Sequence, residues 1–451
     1  MSDVVEVGVS NAEKAQSRGE SGLLERIFKL SERGTNVKTE VIAGVTTFLT
    51  MAYIIFVNPN ILSAAGMDHG AVFVATCLAA AVGCLIMGLY ANYPIALAPG
   101  MGLNAFFSFT VVGEMGYSWQ VALGAVFLSG VVFLILSIFK VREWIINSIP
   151  LSLRTALAAG VGLFLAIIAL KTAGIVADSP ATLVTLGDIT QPGALLAALS
   201  FFIIVALSHR RVPGSVMIGI LVVTMISLAA GLVEFTGFVA APPSVAPTML
   251  QLDIAGAFEV GMISVIFAFL FVDLFDTAGT LMGVAQRANL LDKNGKMPRL
   301  GKALMADSSA SMFGSLMGSS TTTSYVESTA GIAAGGRTGL TAVVCAGLFL
   351  ACMFFSPVAG MVPGYATAGA LLYVAVLMTG GLKSIDWEDV TEAAPAVIAA
   401  IMMPLSFSIA NGIALGFIAY TAIKVASGRS ADISTSVYVL CALFVAKFIF
   451  F

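Results

Sequence analysis

The sequence predicts an all-α protein that crosses a membrane many times, in about fourteen segments. Three observations carry that prediction. Of 451 residues, 59% are hydrophobic and only 10% are charged, whereas a soluble domain carries about 25% charged residues. Asp, Glu, Lys and Arg are absent from residues 41–67, 69–113 and 338–382. Glycine (45 residues) far exceeds proline (15), and small residues crowd the apolar stretches as they do where membrane helices pack closely.

The same arithmetic excludes other classes. With 22 basic and 25 acidic residues the net charge is −3, so the chain offers no basic surface for nucleic acid. Five cysteines without paired-ligand spacing and two histidines argue against a disulfide scaffold or a metal site. The pairs Cys77/Cys84 and Cys345/Cys352 read as small apolar packing. Neither a metal nor an organic cofactor is expected, and the lipid bilayer is the main partner.

At the N-terminus, residues 1–40 mix acids and bases and lack the pattern of a cleavable signal. Leu23, Leu24, Ile27, Phe28 and Leu30 form one apolar stripe among charges, which reads as a short amphipathic helix on the membrane surface. Spanning helices are then expected to begin near Val41, Ala71, Met101, Trp119, Ser152, Pro192, Val212, Phe258, Ala303, Ser328, Thr338, Ala368, Glu392 and Gly412. The long uncharged runs must each hold two spans, joined by turns at Tyr93-Pro94 and between Pro357 and Gly364. A last apolar stretch, Ser434–Phe451, reads as a helix on or in the membrane.

Charge placement orients the layout, because basic residues gather in loops on the cytoplasmic side. With the N-terminus inside, the inner loops hold Lys140, Arg142, Arg154, Arg210, Arg211, Arg287, Lys293, Lys296, Arg299, Lys302, Arg337, Lys383, Lys424 and Arg429, and the N-terminal tail adds the six bases from Lys14 to Lys38. Only Lys171 and Lys447 of the 22 bases fall elsewhere. The two halves also echo each other. Ala98-Pro-Gly-Met-Gly-Leu-Asn104 breaks the third segment, and the stretch from Gly318 to Ser328 breaks the tenth. Interrupted segments at matching places in inverted halves point to a transporter's binding site.

Acids inside the membrane are costly and usually functional. Asp273 and Asp276 share one helical face, Asp307 follows in the next segment, and Glu327 stands at the second broken element. No Lys or Arg lies within those spans, so the acids must be protonated, hydrated or matched by a polar ligand. Asp307 has a second reading, as a helix N-cap or a partner of the neighbouring serines. Broken helices supply the complementary chemistry: N–H groups at half-helix starts near Gly102 and Ser328, and polar groups along Thr321, Thr322, Thr323 and Ser324. Asn104 adds an amide. Phe106 and Phe107 read either as packing or as a cover for an aromatic ligand. Such a site suits a small planar molecule with both donors and acceptors, and buried carboxylates suit proton coupling.

At these residues the chain resembles the nucleobase–cation symporter-2 family of the nucleobase–ascorbate transporter superfamily, in the branch for adenine, guanine and hypoxanthine. The resemblance runs from about Gly34 onward. It rests on Ala43-Gly-Val-Thr-Thr-Phe-Leu-Thr-Met-Ala-Tyr53, the motif ending at Asn104, Asp273-Leu-Phe-Asp-Thr-Ala-Gly279 and Ser320-Thr-Thr-Thr-Ser-Tyr-Val-Glu-Ser328. It implies a seven-plus-seven inverted repeat with a core domain (41–150 and 257–358) and a gate domain (151–256 and 359–429), flanked by 1–40 and an apolar extension at 430–451. It also implies proton-coupled import of a purine nucleobase across a bacterial inner membrane, by a transporter and not an enzyme, and a homodimer. Substrate contacts would fall to Asp276, Glu327, Asn104, Gly102, Ser328, Thr323 and Asp273, and proton coupling to Asp273, Asp276 and Asp307. The Asp at position 276, where uracil and xanthine branches carry Glu, favours these purines over uracil, xanthine and urate. An organic-anion transporter of the same fold, or a channel, is the rival reading.

Overall fold

The computed structural model describes residues 22–139, 149–288, 290–292 and 297–450. Lys14, Lys140, Arg142, Lys293, Lys296 and Phe451, to which the sequence assigned places, lie outside the described residues.

Among the described residues, nine helices are long and apolar enough to cross a membrane. Shorter apolar helices at Ser215–Ala229 and Val390–Leu405, the polar helix Leu300–Met317 and two broken segments complete the expected fourteen. Observed starts at Val37, His69, Trp119, Leu151, Pro192, Ser215, Val260, Gly339, Gly364 and Ile409 fall within four residues of expectation. The starts are set by local chemistry. The side chains of Asn36, Asp68 and Ser118 each accept a hydrogen bond from a backbone N–H one turn on, which satisfies donors that a helix end leaves orphaned.

Burial sorts the helices. In the most apolar 18-residue stretches of Val37–Ser63 and His69–Ala91, 67% and 72% are buried inside the protein, against 22% for Pro192–His209, so the first two are interior and the last faces its surroundings. Between membrane helices lipid offers no hydrophobic drive, and close approach does the work. Gly331 is the clearest case: a Cβ there would collide with Thr47 Oγ1 and with the Ala43 carbonyl, so only glycine lets the tenth segment lie against the first.

Several features depart from the expected layout. The first span is broken, with helices Val37–Met51 and Ile54–Ser63 separated at Ala52-Tyr53. Its start at Val37 carries Glu40 inside the helix, fully buried, where the sequence placed the end of the N-terminal segment. The amphipathic helix is only Leu23–Phe28. It turns Phe28 and Leu30 inward against Leu340 and leaves Leu23, Leu24 and Ile27 exposed. Lys424 is no loop residue but sits, buried, in the last turn of helix Ile409–Ala426. An exposed hairpin, Val176–Ser179 with Leu183–Leu186, stands where a loop was expected. The C-terminal stretch is a helix, Thr435–Phe450, whose Phe444 packs against Phe417 and Phe271.

Candidate functional site

The two broken segments meet and satisfy each other. Strand Leu97–Pro99 pairs antiparallel with Thr322–Ser324, in the register Leu97↔Ser324, Ala98↔Thr323 and Pro99↔Thr322. The ladder is extended by Gly100 N–H to the Thr321 carbonyl (2.9 Å) and Tyr325 N–H to the Ala96 carbonyl (3.0 Å). Extended backbone within a membrane must find its partners in protein, and here each break is the other's partner. Half-helices leave from this patch in sequence at Met101–Ala105, which continues as a π-helical stretch to Glu114, and at Ser328–Ala333.

Glu327 is the residue immediately before the second half-helix. Its Oε1 accepts a 2.6 Å hydrogen bond from the Tyr53 hydroxyl, at the break of the first span. The neighbouring Val326 is 44% exposed, so the site opens beside Glu327. Helix Val260–Arg287, which carries Asp276, packs against strand Thr322–Ser324 and against the second half-helix. The elements that carry Asp276, Glu327 and Thr323 therefore meet at the two breaks. Gly102 sits against the fifth segment: a Cβ there would strike Val161 Cγ1.

Asp273 and Asp307 form a second group, 2% and 0% exposed. The Thr277 hydroxyl lies 3.1 Å from Asp273 Oδ1 and 3.1 Å from both oxygens of Asp307. The capping alternative for Asp307 is overturned, because the helix begins at Leu300 with Arg299 as its N-cap and Asp307 lies two turns inside.

Other expected contacts have protein partners. The Ser328 hydroxyl accepts from the Ala96 N–H at 3.0 Å, and the Ser328 N–H turns back to the Tyr325 carbonyl at 3.2 Å, so both of its polar groups shape the break. Asn104 is fully buried and donates to Asn58 Oδ1 at 2.6 Å. Asn58 in turn donates to Thr76 (2.7 Å) and Ser319 (3.2 Å). Asn104 Oδ1 has no partner among the described residues. Phe106 is buried edge-on against Phe269 at 5.1 Å, which is packing.

Sequence reasoning missed Tyr53, Asn58 and Glu40. Glu40 accepts from the backbone N–H groups of Arg337, Thr338 and Thr341 and, at 2.6 Å, from the Thr341 hydroxyl. Arg337 donates to the carbonyls of Ile332 and Gly336, closing the C-terminus of the second half-helix. The one signal for Glu40 was its place three residues into the first helical turn; Tyr53 and Asn58 gave none, lying in an uncharged run.

Several known proteins resemble this chain. The adenine permease AdeP of Escherichia coli is 52% identical over 98% of this chain and 99% of its own length. The guanine/hypoxanthine permease PbuG of Bacillus subtilis is 47% identical over 95% of this chain and 100% of its own. Among solved structures, the transmembrane domain of the cyanobacterial bicarbonate transporter BicA matches with a TM-score of 0.64 at 17% identity, covering 83% of this chain and 97% of that one. Murine Slc26a9, an anion transporter, matches at 0.65 and 12% identity over 95% and 77%. These two share the fold alone. A family model described as the Permease family matches residues 38–415, and the chain belongs to that family.

Proposed function

We propose that this chain is a proton-coupled symporter that imports purine nucleobases across a bacterial inner membrane, with its N-terminus cytoplasmic. One observation carries the reading: Glu327, held by the Tyr53 hydroxyl, stands where the two broken segments meet, and the helix that carries Asp276 packs against them. A purine is neutral, planar and rich in both N–H donors and ring-nitrogen acceptors. It donates two N–H groups to Glu327 and contacts Asp276, while an acceptor on the ring meets the half-helix start near Gly102. Relatives named as adenine and guanine/hypoxanthine permeases support that substrate class.

Coupling falls to the group around Thr277. Its one hydroxyl proton cannot serve Asp273 and Asp307 together, so protonation of either carboxylate relieves their repulsion. A proton taken there from outside favours the loaded state. The core (41–150 and 257–358) then moves against the gate (151–256 and 359–429) as a rigid body. Substrate and proton leave unchanged, so no enzymatic step is involved, and no cofactor beyond the proton is needed. A homodimer in the bilayer is the expected assembly. Anion transport, the activity named for the two solved neighbours, is disfavoured because carboxylates at the site repel an anion.

Uptake of labelled adenine, guanine and hypoxanthine in a permease-deficient cell tests this. Saturable accumulation that a protonophore collapses is expected. Equilibration without saturation points to a channel and defeats the proposal.

A further inference from the structure

The site described above has an acid whose geometry is not its own. Glu327 precedes a half-helix of six residues and makes no side-chain cap to it. The fixing comes from the first span. Tyr53 sits at the break between Val37–Met51 and Ile54–Ser63, fully buried, and its hydroxyl reaches Glu327 Oε1 at 2.6 Å. Three residues earlier, the Thr50 hydroxyl approaches the Glu327 backbone carbonyl at 3.4 Å.

We propose that Tyr53 is a positioning residue for substrate recognition, pinning one oxygen of Glu327 so that the carboxylate is presented to the ligand in a single orientation. A hydrogen bond from a hydroxyl to a carboxylate is short and among the stronger kinds, and among the described residues Glu327 is the partner of the buried Tyr53 hydroxyl. The unpinned carboxylate samples several rotamers, and each productive encounter must then select one. The loss therefore appears in affinity and not in the rate of the conformational step. The inference rests on the purine reading of the site.

The test is a double-mutant cycle in uptake and in equilibrium binding of adenine or guanine to purified protein. Tyr53→Phe keeps the ring and removes the hydroxyl; it should raise KM and Kd about tenfold with maximal uptake within about twofold of wild type. In a Glu327→Gln background Tyr53→Phe should change binding less than about twofold, because a residue that acts only through another has nothing left to act on. Glu327→Asp, one methylene too short to reach Tyr53, should reproduce the KM rise and be insensitive to Tyr53→Phe, which keeps the test open if the phenylalanine variant folds poorly. An unchanged KM in Tyr53→Phe, a loss of maximal rate alone, or additive effects overturn the positioning role. Normal purine binding by Glu327→Gln overturns both this role and the site itself, whereas a defective Glu327→Gln beside a normal Tyr53→Phe defeats the positioning role only.

Discussion

Two clusters of acids are built on opposite principles. In the middle of the chain's spans, Asp273, Asp307 and Glu327 each have a hydroxyl at hydrogen-bonding distance, from Thr277 and Tyr53. Where helices Val390–Leu405 and Ile409–Ala426 begin and end, Asp389, Glu392 and Asp432 gather around bases instead. Lys424 Nζ, 1% exposed, lies 2.6 Å from Glu392 and within 4.0 Å of Asp389 and Asp432. Arg429 pairs with Asp389 at 2.7 Å and with Asp432 at 3.0 Å. Ser152, from the helix starting at Leu151, donates to Glu392. Charge answered by charge ties helices together and leaves nothing for a ligand. A carboxylate held by a hydroxyl keeps acceptor capacity and stays sensitive to a proton. The difference separates a brace from a site.

The largest break of that comparison is Glu327→Ala, which should abolish saturable purine uptake while the protein reaches the membrane in wild-type amount and unfolds at the wild-type temperature in detergent. The converse holds at the brace. Lys424→Met leaves Glu392 without its buried counter-charge and should destabilise the protein by about 3–5 kcal/mol, read as lost abundance and early unfolding. Uptake per folded molecule is retained, and replacing Glu392 by Leu in the same chain recovers much of the loss.

A finer cut is Thr277→Val, nearly isosteric, which removes the hydroxyl between Asp273 and Asp307. Maximal uptake should fall about tenfold and lose part of its protonophore sensitivity, with thermal stability little changed. A variant with wild-type coupling removes these two acids from the proton path.

The smallest effect is a pH dependence. Asp389 is held down to about 2 from an ordinary 3.8, first by the Thr391 hydroxyl and then by the Arg429 guanidinium. A depressed folded value means its stabilisation is complete above 3.8 and fades as pH falls toward about 2. Asp389→Asn keeps the helix cap and loses the charge. Its melting temperature should sit slightly below wild type at pH 7, and the gap should close across that window. A gap that persists below it assigns the effect to something other than this carboxyl.

Much of this was legible in the sequence. A charge cannot be left in lipid without cost, so uncharged runs marked the spans, and helix starts at Trp119, Pro192 and Ser328 fell where they were expected. Asp276 and Glu327 stood out because acids within apolar stretches are rare. Tyr53 did not stand out, since an apolar run tolerates tyrosine anywhere and its partner lies 274 residues away. Asn58 was silent for the same reason, and Asn104 was legible only as an amide, not as one already donating to Asn58. Lys424 looked like a loop base because sequence distance hid Glu392.

Composition and charge spacing thus determined, on their own, that the chain is a many-span helical membrane protein with acids at two interrupted segments, because transfer of charge and bare backbone into lipid is penalised residue by residue. Only the tertiary structure decided which acids meet hydroxyls and which meet bases. Those partners come from helices hundreds of residues apart, and a hydrogen bond depends on distance and angle in space, which no local pattern encodes.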